Sequence, residues 1–162
     1  MPSVTIRGLA AQDWRQLRQA RLAALAEAPY AFASTVAREE AFSDETWRER
    51  AGSGRTFAAW RDGVIIGLAT GFPEEARAGW HLVGMWVAPE YRGQGIADQL
   101  VAAVCDLARE SGALSVTLWV TDVNDRARAF YRRLGFRPTG QRQLLRPGEW
   151  EEELALAVQL AR

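Results

Sequence analysis

Two short stretches concentrate the residue types that hold anions or move protons. The first is Arg92-Gly93-Gln94-Gly95-Ile96-Ala97. It follows Val87-Ala88-Pro89-Glu90-Tyr91, where Pro89 ends strand pairing because it has no N–H. Gly93 and Gly95 admit unusual backbone angles and leave space beside the chain. The first amides of the next helix lack intrahelical acceptors, so they can turn outward to an anion. Arg92 adds a permanent positive charge. Together these features suit a pyrophosphate, although two glycines can equally do no more than shape a tight turn. A dinucleotide fingerprint would need a third glycine where Asp98 stands, and a P-loop would need a lysine, of which the chain has none.

The second stretch is Asn124-Asp125-Arg126-Ala127-Arg128-Ala129-Phe130-Tyr131-Arg132-Arg133-Leu134-Gly135-Phe136. Ala127, Phe130, Tyr131 and Leu134 share a helical face, with Asn124 at its start. Taken singly, Asn124 reads as a helix cap, Tyr131 as a core aromatic and Gly135 as a C-terminal stop. His81 is the only histidine, and its ordinary pKa suits a general base. It opens the strand that leads into the glycine turn, where it could also sit half-exposed and idle.

The elements that must position these residues are set by periodicity and punctuation. Residues 3–9 alternate as a strand, and 11–28 carry apolar residues at helical spacing up to Pro29. Residues 29–42 read as a loop with partial helix, and Ser43 caps a short helix through Arg50. Strands 55–61 and 64–71 flank Asp62-Gly63, a two-residue hairpin signal. A polar connection over 72–79 leads to a strand at 80–87. A helix at 96–111 presents Ile96, Leu100, Ala103, Val104 and Leu107 on one face and stops at Gly112. A strand at 114–120, a helix at 124–134 and a final antiparallel pair, 136–145 and 149–160, complete the chain. Mixed connections imply a mixed sheet with helices on its faces.

The chain has 162 residues, 48% of them apolar, enough for one domain with a sizeable core. Twenty acidic residues balance twenty basic ones, so no general attraction for nucleic acid or anionic lipid is expected. The apolar runs are too short to span a bilayer and no leader pattern opens the chain, which reads as cytoplasmic. The lone Cys105 cannot form an internal disulfide, reads as a packing residue, and with one His leaves no metal cluster.

The two motifs together resemble the GNAT acyltransferase superfamily, whose hallmark is Arg/Gln-x-x-Gly-x-Gly/Ala. Arg92, Gly95 and Ala97 match it in order. The later Asn, Ala, Phe-Tyr and Gly-Phe elements are also in place at Asn124, Ala127, Phe130-Tyr131 and Gly135-Phe136. The resemblance is closest from Trp80 to Phe136. It implies an α/β fold with a mixed, mostly antiparallel central sheet of about seven strands and helices on both faces, as one domain over 1–162. It implies acetyl-CoA as acyl donor, held at the pyrophosphate by Gln94, Gly95 and Ala97, with Gly93 and Arg92 shaping the turn. Main-chain groups of Met85 and Val87 would pair with the pantetheine arm, which Asn124 would hydrogen-bond. Tyr131 would lie beside the thioester sulfur, where a protonated phenol can donate to a departing thiolate.

For the acceptor, Glu39 and Glu40 could attract a cationic amine, and Phe32, Phe42, Trp47 and Trp86 could line an apolar cleft. A carboxylate pair in a polar segment is usually solvated, and aromatics are usually core. His81 falls close to where one branch of the superfamily places a catalytic Glu. The expected activity is N-acetyltransfer to a primary amine of a small molecule or protein by direct transfer in a ternary complex. A non-catalytic acyl-CoA-binding sensor is the alternative. Nucleic acid, membrane and metal are not expected, and GNAT domains are often homodimers.

Overall fold

The computed structural model describes residues 3–74 and 78–161. The strands are β1 (Thr5–Gly8), β2 (Thr56–Arg61), β3 (Val64–Pro73), β4 (Gly79–Val87), β5 (Ser115–Thr121), β6 (Arg137–Leu144) and β7 (Glu152–Gln159). The helices are α1 (Trp14–Glu27), α2 (Val36–Glu40), α3 (Asp44–Ala51), α4 (Ile96–Glu110) and α5 (Asp125–Arg133). The strands form one seven-stranded sheet in the order β1-β2-β3-β4-β5-β7-β6. All neighbours are antiparallel except β4 and β5.

Local chemistry accounts for most boundaries. Asp62 and Gly63 take φ of 52° and 77°, the left-handed pair that matches a tight hairpin to strand twist. Ser43 accepts from the Thr46 amide and Thr35 from that of Arg38, capping α3 and α2. The segment read as a loop with partial helix is a 3-10 turn at Pro29–Ala31 followed by α2. One connection is shorter than expected: β3 continues through Phe72 and Pro73, which pair with His81 and Trp80. Proline is tolerated there because it closes the strand, where a missing N–H breaks no central ladder. Part of the expected polar connection, 75–77, lies outside the described residues.

Helices cover both faces of the sheet. A Cβ built on Gly67 or Gly71 of β3 would lie 3.0 Å from Leu100 Cδ1 or 2.7 Å from Val104 Cγ1, both on α4. Those glycines let α4 approach closely. The alternate residues Leu68 and Thr70 face a hollow shared with Leu17 and Arg21 of α1. Leu100, Val104 and Val116 are wholly buried between these layers.

Strand β4 departs from regular pairing on both of its edges. Its ladder with β5 covers only Gly79, Trp80 and His81, opposite Ser115, Val116 and Thr117. Both strands run on, but apart. On its other side, β4 pairs Trp86 with Leu68 and then Val83 with Thr70, so it carries one extra residue there. That bulge holds Gly84 at φ 64°.

A buried charge cluster joins the helices over the β3 face. Glu39 is 0% exposed. Arg21 donates to its carboxylate from Nε and Nη2 at 3.0 and 2.9 Å, and Arg50 from Nη1 at 2.9 Å. Burial alone would raise the Glu39 pKa, but hydrogen bonds from Arg21 and Ser34 and the two arginine charges outweigh it and hold the group at about 2. Its ordinary value is 4.5, so this stabilisation is complete above that pH and fades as pH falls from there toward 2. Glu39→Gln is expected to cost about 3 kcal/mol in denaturant unfolding at neutral pH. It should also flatten the acid limb of stability against pH. A loss under about 1 kcal/mol would show that the cluster contributes little net stability.

Candidate functional site

Where β4 and β5 part, a cavity of about 500 Å³ opens. Its walls come from the end of β4, the 91–98 turn, the segment after α1 and the inner face of α5. Gly95, at φ 80°, is the N-cap of α4, and no side chain caps that helix. Among the described residues, the amides of Gly93 through Asp98 donate to no protein acceptor. A Cβ on Gly93 or Gly95 would meet nothing within 4 Å. The turn is thus a row of unpaired N–H groups at the positive end of a fifteen-residue helix. It is shaped for an anion with several oxygens.

Arg92 also lines the cavity, with part of its guanidinium bound to the wall. Its Nε donates to the Val87 carbonyl at 2.9 Å and its Nη2 to both Glu27 oxygens at 3.1 and 3.0 Å. The Trp86 indole donates to the same carboxylate at 3.1 Å. The guanidinium therefore ties the turn to the end of α1, and Glu27 offsets its charge. Asp98 and Arg133 form a second tie across the cavity, with two hydrogen bonds of 3.0 and 3.1 Å. Arg126 also lines the cavity, and among the described residues its side chain has no ion-pair partner.

Asn124 does cap α5, accepting from the Ala127 amide at 3.2 Å. Only its carbonyl oxygen is used, so the NH₂ end stays available in the cavity wall. Tyr131, 7% exposed, lines the same cavity. Phe130 and Phe136 fix its ring edge-on at 5.0 and 5.6 Å. Burial raises its pKa well above that of an ordinary phenol, so the hydroxyl remains a proton donor at neutral pH. Met85, Val87, Gly93, Gly95, Ala97 and Phe32 complete the set of expected residues that meet here. Arg146 holds the wall segment in place, donating to the Phe32 carbonyl at 2.7 Å and to those of Pro29 and Ala33.

Other candidates lie apart. Gln94 is exposed and its side chain does not line the cavity, although its amide belongs to the unpaired row. His81 stacks on Phe72 at 5.1 Å, with Nε2 3.7 Å from Glu74, and does not border this cavity. Phe72 lines a second cavity on the opposite side of the bulge, and so does Trp47. Glu40 is exposed and borders neither cavity, while Glu39 is locked to its arginines. Burial pushes the Cys105 thiol up, consistent with a packing role.

Alkaline titration tests the burial of the Tyr131 phenol. Tyr131→Phe is expected to leave the phenolate absorbance change between about pH 9 and 11 unaltered. A smaller signal in that window would show the phenol to be ordinary.

Comparison with known proteins bears on the whole arrangement. The model of the acetyltransferase (GNAT) family matches residues 15–136. N-acetyltransferase 8F1 of Rattus norvegicus is 35% identical over 82 residues, covering 51% of this chain and 37% of that protein. The chain spans between 32% and 63% of the length of such curated relatives. An acetyltransferase of the GNAT family from Streptococcus pneumoniae superposes with a TM-score of 0.78 at 17% identity, covering 98% of this chain and 100% of that one. An N-acetyltransferase, PaiA, from Thermoplasma acidophilum, solved in complex with coenzyme A, gives 0.69 at 17% identity, with coverage of 98% and 99%. At those identities the two structures speak to the fold.

Proposed function

The chain belongs to the GNAT acetyltransferase family, and from that premise we propose that it moves an acetyl group from acetyl-CoA to a primary amine by direct transfer in a ternary complex. The observation that carries this reading is the run of unpaired amides from Gly93 to Asp98, on the same cavity as the Tyr131 phenol. The fit to coenzyme A rests on that run and on the open space at Gly93 and Gly95. Bound there, acetyl-CoA would supply an acyl carbon already activated as a thioester.

The protein's own groups divide the remaining work. The turn amides hold the pyrophosphate, and the free Arg126 is suited to a further phosphate. The edge of β4 beyond His81, left unpaired by β5, offers main-chain groups at Met85 and Val87 to an extended amide-bearing arm. The free NH₂ of Asn124 donates to that arm. Arg92 serves by fixing the turn rather than by touching phosphate. The bulge at Gly84 and Met85 presents a main-chain N–H to the carbonyl oxygen where negative charge develops.

The amine must lose a proton before it attacks. His81, beside Phe72 on the far side of the bulge, takes it directly or through water. The amine nitrogen then bonds to the acyl carbon, and as the C–S bond breaks the nitrogen gives up its second proton to solvent. Tyr131 passes its proton to sulfur and regains one from solvent. Its raised pKa does not oppose this step, because the burial that disfavours a phenolate also disfavours a thiolate beside it.

Thiol release from acetyl-CoA across a diverse panel of amines tests the reading. Tyr131→Phe should lower kcat roughly 10²-fold with the coenzyme Kd changed by less than about twofold. Gly95→Glu should weaken coenzyme binding at least about a hundredfold, through repulsion and strain at positive φ. A protein that binds coenzyme yet releases no thiol with any amine would be a binding domain. An unchanged Kd in Gly95→Glu would remove the pyrophosphate site.

A further inference from the structure

The second cavity encloses about 300 Å³ between α1, α3 and strands β2 to β4. Leu17, Leu68, Phe72 and Val83 make part of its wall apolar. Its charged lining consists of Arg21, Arg50 and Arg55, with no carboxylate. Glu39 sits behind the wall and offsets one of those charges. It engages Nε and Nη2 of Arg21 but not Nη1. That nitrogen lies over the β4 bulge, 3.5 Å from where a Cβ on Gly84 would stand. Arg55 is exposed, and among the described residues its guanidinium has no ion-pair or hydrogen-bond partner. The side chains thus offer donors and positive charge in excess.

The two cavities flank the bulge. Gly84 lines the second and Met85, its neighbour in sequence, lines the first. Phe32 in the first cavity lies under the Arg21 guanidinium, 5.0 Å away. Arg21 thus stands close to both cavities, over the bulge on one side and over the Phe32 ring on the other.

We propose that the acceptor is an amine that also carries an anionic group, a carboxylate or a phosphate, which docks on Arg21, Arg50 and Arg55. The inference rests on the acyl-transfer reading and gives it a substrate class. It reverses the sign expected from Glu39 and Glu40, because the first is sealed behind its arginines and the second is outside the cavity. Polycationic amines are repelled here.

Matched pairs test this in the full-length protein saturated with coenzyme A. Leucine, methionine and phenylalanine are compared with their carboxamides, and glucosamine 6-phosphate with glucosamine. Spermidine is the cationic control. Calorimetry reads binding, and thiol release from acetyl-CoA reads kcat/KM. At least one anionic member should bind about tenfold or more tightly than its neutral twin. The arm in which this occurs distinguishes carboxylate from phosphate. Arg55→Ala, at an exposed position ahead of β2, should erase most of that preference while the coenzyme Kd stays as it was, and Arg55→Lys should restore part of it. Equal or better binding of the neutral twins or spermidine overturns the proposal, as does failure of every anionic member to bind, or a preference that survives Arg55→Ala. Thiol release that favours neutral or cationic amines would sink this inference alone. Arginine-dependent anion binding without any thiol release would sink acyl transfer, and the acceptor role with it, while leaving the anion site in place.

Discussion

The parting of β4 from β5 after three residue pairs is the constraint on which the site depends. A parallel neighbour cannot be reached by a hairpin, so the chain must cross over through α4. That crossover sets the N-terminus of α4 at the end of β4 and the N-terminus of α5 at the end of β5. Both helix starts therefore face the same gap. The sheet is antiparallel on either side, so strand pairing holds the flanks while the junction opens. A fully paired β4–β5 ladder would close the cavity and leave the turn amides facing ordinary packing.

Two carboxylates from the first helical layer keep that opening in shape. Glu27, at the end of α1, takes hydrogen bonds from both Trp86 and Arg92, so strand end, turn and helix share one anchor. Glu39 does the same work on the other side of the bulge, between α1, α2 and α3. Glu39 lies where a charged residue would be expensive alone and is offset by the Arg21 fork, whereas Glu27 is exposed and meets a single nitrogen of Arg92. The arginines differ in what remains to them. Arg92 and Arg21 each commit Nε and Nη2 to the walls, whereas the Arg55 guanidinium has no partner among the described residues. Paired charge builds the walls, and surplus charge is left for ligands.

Much of this was legible in the sequence because it is local. The Asp62-Gly63 turn, the Ser43 cap, the apolar stripe of α4 and the glycine turn ahead of it depend on residues within a few positions of each other. The Asn124 cap and the phenol further along the same helix were legible for the same reason. What escaped depends on distant partners. Glu39 and Glu40 are chemically alike and adjacent, yet one is sealed and the other exposed, and only the placement of Arg21 and Arg50 decides which. The charge of Arg92 looked free until Glu27, 65 residues earlier, came beside it. The bulge at Gly84 has no signal beyond a glycine inside a strand, and Arg126 was one arginine among many.

The unpaired edge of β4 has an evolutionary consequence. Its N–H and C=O groups are common to every residue type but proline, so other substitutions along 82–87 alter packing without deleting the contacts the edge offers. Drift is free there in a way it is not at Gly95, where a side chain would both strain the turn and fill it. A groove made of main chain can persist in proteins that have lost almost every other likeness. Along that groove, the few positions that must keep their identity are those that bend the backbone.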